Sequence, residues 1–333
     1  MKRFINLLPV VLCSLTFTMT GCSADADSAM TEERQKDNRI AFCLNDIEDV
    51  PATTRGAQAT LSSLDAGFGV SCSVYPSSET YTSYPCGSYF YKVQAFPGVA
   101  TDYYWPETDS KMAFYAYYPY NNSNFTVQSA ATANGSPTYA YTVPEAIASQ
   151  VDVMTTQVVD RLASNHTAVP LTFSHRCTDI RFTAYNQQSD PLTVKSVAIY
   201  GVQYSGTYTN GTSWSLSGSR NSSSSHPFLL SLNTAVASKA TVDLTGTTNH
   251  FIMLPQTVPN GTDFLVIKTE EDGEERIYTY TLDASYELVM GKSVTFQLTL
   301  GNGTLTVDSV SVVDWEPIAT TTGTFSTTDW SAE

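Results

Sequence analysis

The feature that most constrains the fold is a succession of short segments in which apolar and polar residues alternate, each ending near a turn dipeptide or a proline. A first series comprises FGVSCSVY (68–75), SYFYKVQAF (88–96), KMAFYAYYPY (111–120), TYAYTV (138–143) and DVMTTQVVD (152–160). A second comprises VPLTFSHRCTDIRFTAY (169–185), TVKSVAIYG (193–201), SWSLSG (213–218), ATVDLTG (240–246), HFIMLPQ (250–256), FLVIKTE (264–270), RIYTYTL (276–282), SVTFQLTLG (293–301) and TLTVDSVSVVDW (304–315). A period of two sends successive side chains to opposite faces of a strand, and Val, Tyr, Phe and Thr fit a pleated, half-buried surface. Asn-Gly-Thr at 210–212, 260–262 and 302–304, and Asp272-Gly273, are expected as hairpin turns. Only short stretches such as 144–150 could be helical. The pattern predicts an all-β chain of β-sandwiches that divides near residue 167.

Only 15% of residues are Asp, Glu, Lys or Arg, and there are 20 Tyr. The average soluble domain carries about 25% charged residues, so this balance suits a protein outside the cytoplasm. Lys and Arg number 17 against 32 Asp and Glu, a formal charge of −15. Nucleic-acid binding requires clustered positive charge and is excluded as a function class.

Lys2 and Arg3 precede an apolar run from Phe4 to Leu15 that continues to Met19 and closes on Thr20-Gly21-Cys22. A basic start, a short apolar stretch and small residues before a cut form an export signal over 1–21, too short to span a bilayer. Met19-Thr20-Gly21-Cys22 resembles a bacterial lipobox, in which the Cys thiol is acylated and becomes the new N-terminus. Acyl chains on Cys22 are then the expected membrane anchor. SADAD (23–27) suits either a surface-export signal or a solvated tether, and residues 23–38 lack periodicity. RIAFCL (39–44) is apolar enough to pair as a strand. NDIEDVPATTRG (45–56) is acidic, contains Pro51 and ends on Arg55-Gly56, within reach of a protease.

Of six Cys, Cys13 lies in the signal and Cys22 is assigned to lipid, leaving Cys43, Cys72, Cys86 and Cys177. No CxxC is present and none of the four His stands at metal-ligand spacing from the cysteines, so no metal site and no cofactor are expected. Cys72 and Cys86 flank a Tyr/Ser/Pro loop that an oxidising compartment could close with a disulfide or leave open. Cys177 is expected as a buried free thiol.

Little resembles a catalytic centre. EEDGEE (270–275) could present paired carboxylates or calcium ligands, but it lacks the alternating ligand spacing of an EF-hand, and its Asp-Gly explains it as a hairpin tip. His175 and Asp179 are four strand positions apart, too far to bond to one another. No GxSxG elbow or phosphate-binding glycine loop occurs, so the chain is expected not to be an enzyme. The tyrosines of 102–105 and 114–120, Tyr117 and Tyr118 above all, could stack on a sugar or pack in a core.

The lipobox at Cys22, KMAFYAYYPY, DVMTT (152–156), LTFSHRCTDIRF (171–182), FIMLPQT (251–257), Gly291-Lys292 leading into SVTFQLTL, and VVDW (312–315) together resemble the fimbrillin (Mfa-like/FimA-like) family of type V pilus subunits. The resemblance implies two transthyretin-like β-sandwich domains in tandem, 56–167 and 168–333, after a signal peptide (1–21) and a lipidated, removable pro-segment (22–55). It implies a stalk or tip subunit that is exported as an outer-membrane lipoprotein and cut between Arg55 and Gly56. Loss of the Arg39–Leu44 strand would open a groove for a strand from another subunit, donated by the tail after Trp315 (318–330). Partners would be other fimbrial subunits, the outer membrane through Cys22 before the cut, and a host or bacterial surface ligand. The alternative is a permanently anchored surface lipoprotein that binds glycan or host protein.

Overall fold

The computed structural model describes residues 38–44, 61–81, 87–107, 109–128, 136–246, 248–301 and 303–315. They form an all-β structure. The strands up to residue 175 are β1 (Arg39–Leu44), β2 (Phe68–Pro76), β3 (Gly87–Ala95), β4 (Ala100–Tyr104), β5 (Ser110–Tyr118), β6 (Phe125–Gln128), β7 (Thr138–Thr142), β8 (Met154–Thr156), β9 (Val159–Leu162), β10 (Val169–Leu171) and β11 (Phe173–His175). Those that follow are β12 (Thr178–Asn186), β13 (Leu192–Ile199), β14 (Gln203–Thr209), β15 (Trp214–Arg220), β16 (Phe228–Val236), β17 (Thr241–Asp243), β18 (Phe251–Met253), β19 (Gln256–Val258), β20 (Asp263–Glu271), β21 (Glu274–Thr281), β22 (Tyr286–Leu288), β23 (Lys292–Gly301) and β24 (Thr304–Asp314). A five-residue helix, Leu61–Asp65, precedes β2, and a single 3-10 turn, Ile147–Ser149, occupies the stretch expected to be helical. No helix among the described residues is long and apolar enough to cross a membrane.

A sheet in the order β10-β1-β4 and a larger one in the order β11-β8-β5-β2-β3, with β9 also on β5, share one core. Ile40, Phe42, Val169 and Leu171 from the smaller sheet meet Phe68, Val70, Phe114 and Phe173 from the larger. A second core lies among β17-β12-β23-β24, β16-β13-β20-β21 and β15-β14-β7-β6, filled by Phe182, Phe228, Phe251, Phe264 and Phe296 and extended by Phe125, Tyr139 and Tyr208. β12 and β23 run parallel with Phe182 beside Phe296, their rings stacked at 5.6 Å. Parallel neighbours require a long crossover, and here β13 to β22 supply it.

The expected division near 167 does not coincide with the change of sheet. β10 and β11 lie beyond it yet pair with β1 and β8, whereas β6 and β7 lie before it yet join β14. The run 169–185, which alternates as if it were one strand, is three strands in three sheets. Asn210-Gly211 and Asp272-Gly273 are hairpin turns as expected, with positive φ at Gly211, Asp272 and Gly273. Asn260-Gly261 is not one, because it joins β19 and β20, which pair with β22 and β21 respectively.

Candidate functional site

β1 alternates inward and outward, and its inward residues Ile40 and Phe42 are both 0% exposed. The Phe42 ring meets Phe68 and Phe114 edge-on, at centroid distances of 6.1 and 5.7 Å. Burying side chains of this size stabilises by about 1.5–3 kcal/mol each. The backbone is held on both sides. β4 pairs antiparallel through Arg39 with Tyr104 and Ala41 with Ala100, and β10 pairs parallel through Phe42 with Val169, Cys43 with Pro170 and Leu44 with Leu171. The Thr101 hydroxyl donates to the Ile40 carbonyl at 2.9 Å and the Gly98 N–H to the Phe42 carbonyl at 2.8 Å. β1 is thus the central strand of its sheet. Without it, β4 and β10 would each present an unpaired edge beside an apolar slot.

The residues singled out from sequence are not brought together. Cys22, Arg55, Gly56 and Cys86 lie outside the described residues, as does the tail 316–333. Cys72 is 1% exposed on β2, between Phe90 of β3 and Phe114 of β5. Cys177 is a buried free thiol, raised well above its ordinary pKa by burial, and sits between β11 and β12. Tyr117 is 1% exposed, with its ring lying across Gly69 and packed beside Phe125 and Tyr139. A Cβ on Gly69 would fall 2.0 Å from the Tyr117 ring, so the glycine makes room for that burial. The sugar-stacking expectation is therefore corrected at Tyr117, whose ring faces the core takes. Tyr118 is half-buried.

Sequence spacing missed two buried pairs. His175 bonds through Nδ1 to Asp152 at 2.7 Å, not to Asp179, and its ring stacks on Trp315 at 4.6 Å. Asp179 instead faces His250 at 3.0 Å, Arg181 at 2.7 Å and the Ser293 hydroxyl at 2.7 Å. Burial would raise the Asp179 carboxyl, but the hydrogen bond and charge of His250, with Arg181 and Ser293, outweigh it and hold the group below the usual carboxylate range. Within EEDGEE the hairpin tip is as expected, yet Glu271 turns inward. Burial pushes its carboxyl up, and Gln188, Tyr278, Thr269 and Arg276 bring it below its ordinary value. Its hydrogen bond partner Tyr278 is pushed up to about 12 by burial and by that carboxylate. His175 and Asp152 are 23 positions apart, and His250 and Asp179 lie farther apart still, so spacing carried no signal of either pair.

The sequence profile of the fimbrillin-like family matches residues 65–315. No curated protein matches the chain. A candidate cell-adhesion protein from Bacteroides ovatus aligns with a TM-score of 0.50 at 14% identity, over 84% of this chain and 97% of its own. A candidate cell-adhesion protein from Bacteroides uniformis aligns with a TM-score of 0.47 at 15% identity, over 84% and 99%. A C-terminally truncated tip fimbrial protein from Porphyromonas gingivalis aligns with a TM-score of 0.33 at 10% identity, over 79% and 97%.

Proposed function

The chain belongs to the fimbrillin-like family, and from that premise we propose that it is a stalk or tip subunit of a cell-surface fimbria, exported as a lipoprotein through Cys22, cut after Arg55 and polymerised by strand exchange in support of adhesion. The position of β1 carries this proposal. It is the middle strand of its sheet, with Ile40 and Phe42 in the core, and it is followed by the acidic, proline-containing stretch that holds Arg55. A cut at Arg55 would leave β1 held without a covalent link. Its loss would expose backbone donors and acceptors on β4 and β10, together with an apolar slot, and a strand from a second subunit would satisfy both. The tail beyond Trp315, with Ile318, Phe325 and Trp330, is the proposed donor. The role is structural and non-catalytic, the precursor sits in the outer membrane, and the mature chain stands in the fimbria.

N-terminal sequencing of the surface-exposed form tests this. A mature chain beginning at Gly56 supports it. A surface population that begins only at acylated Cys22 replaces it with the permanently anchored lipoprotein.

A further inference from the structure

A cavity of about 540 Å³ opens beside the β14–β15 turn, where Tyr81, Gln157, Arg176, Asn210, Thr212 and Met290 are among its lining residues. That volume lies within the about 300–1,000 Å³ of small-ligand sites. Among the described residues its one lining cation is Arg176, in the short link between β11 and β12.

The Arg176 guanidinium is held by neutral partners. Its Nε donates to the Thr155 hydroxyl at 2.7 Å and its Nη2 to the Thr155 carbonyl at 3.3 Å, and the group lies over the Tyr208 ring at 5.3 Å. Trp214 holds the same link by donating from Nε1 to the Arg176 carbonyl at 2.5 Å. No carboxylate among the described residues pairs with Arg176, in a chain whose formal charge is −15. Arg181 and Arg276 pair with Asp179 and Glu271. Arg161 and Arg220 spend both terminal nitrogens on oxygen acceptors. In Arg176 the Nε edge is used on Thr155, while Nη1 and one N–H of Nη2 make no hydrogen bond to a described residue. That remaining fork matches the two oxygens of a carboxylate. Burial lowers the guanidinium pKa, as expected of a cation short of a counter-ion.

The rest of the wall narrows the ligand. The Asn210 side-chain carbonyl accepts from Thr155, which leaves its NH₂ without a described partner, and the Gln157 amide has none either. Met290, Val158 and Tyr81 supply an apolar side. A phosphate would demand more positive charge than one arginine gives. Amides, hydroxyls and an apolar flank around a single cation suit a ring that carries many hydroxyls and one carboxylate. The geometry points to a binding site for a carboxylated sugar, a uronic or sialic acid, with Arg176 gripping the carboxylate and Asn210 and Gln157 meeting ring hydroxyls.

Isothermal titration of the purified full exported chain with methyl glucuronide, N-acetylneuraminic acid and the uncharged methyl glucoside tests the site. Saturable binding of either acid, at least tenfold tighter than the glucoside, is expected. Arg176→Gln should remove at least tenfold of that affinity, and Arg176→Lys, which keeps the charge but loses the fork, should fall between. Should Arg176→Gln fail to fold by circular dichroism, Asn210→Ala serves, with a several-fold loss for the acids. Equal binding of acid and glucoside, or no saturable binding of either acid, overturns the proposal. So does tighter, competing binding of inorganic phosphate or of an acetylated glutamate peptide.

Discussion

Asp179 is fully buried, in contact with the Arg181 guanidinium, the His250 ring and the Ser293 hydroxyl, and its proton affinity follows from that company. Removing one partner of a buried charge pair strands the others, at a cost of about 3–5 kcal/mol. Asp179→Asn should therefore destabilise by that amount at pH 7, read by urea unfolding. The pH dependence has a fixed sign. The folded-state pKa lies below the unfolded value of about 3.9. The stabilisation is thus complete above that value and is lost as pH falls through the lower, folded one. The gap between wild type and Asp179→Asn should stay level from pH 7 to about 5 and close below about pH 4. A gap that instead widened on acidification would mean that the carboxyl is held protonated. No sequence pattern announced this cluster, because Asp179, His250 and Ser293 come from β12, the approach to β18, and β23. Only the parallel pairing of β12 with β23 brings Ser293 beside Asp179.

At the level of elements, β1 is held by two buried side chains and two ladders, so Phe42 governs how long it stays once its covalent link is cut. Phe→Ala in a packed core costs about 3–5 kcal/mol. In chain cut at Arg55, Phe42→Ala should hasten release of the 22–55 segment by at least tenfold, followed by gel filtration and mass spectrometry. Unchanged release would mean that the slot does not depend on this ring. The strand itself was legible, since RIAFCL alternates, and most of the strands from β2 to β24 lie where alternation places them. The partners were not. Across 169–177 burial still alternates, with Val169, Leu171, Phe173, His175 and Cys177 all inward, while the chain passes from β10 through β11 towards β12. Periodicity reports which face is buried and says nothing of the neighbour. Among the strands that alternation did not mark, β14 (QYSGTYT) is polar and β4 follows a Pro-Gly turn. Arg176 carries no signal in the sequence, because a lone arginine gains meaning from a carboxylate that no described residue supplies.

For the whole molecule, the decisive quantity is the local concentration of β1 at its own slot. On the proposed strand-exchange mechanism, an uncut chain would let β1 rebind intramolecularly, at the millimolar effective concentrations that short linkers provide, and no neighbour's strand would compete at ordinary protein concentrations. Cutting the link removes that advantage at one stroke. Arg55→Ala should accordingly leave an exported, fully stable monomer that forms no ladder on mild SDS gels. The cut chain stripped of β1 should melt lower than the precursor, because two buried side chains and their ladders are missing. At about 1.5–3 kcal/mol for each of two side chains and about 2–4 °C per kcal/mol, the drop should be about 6–24 °C. Assembly should restore it, since a strand that binds only the folded state raises the apparent melting temperature by mass action. Scanning calorimetry of precursor, stripped monomer and polymer separates the possibilities. If the stripped monomer melts with the precursor, the slot has closed on itself, and an acceptor that closes cannot hold a filament together.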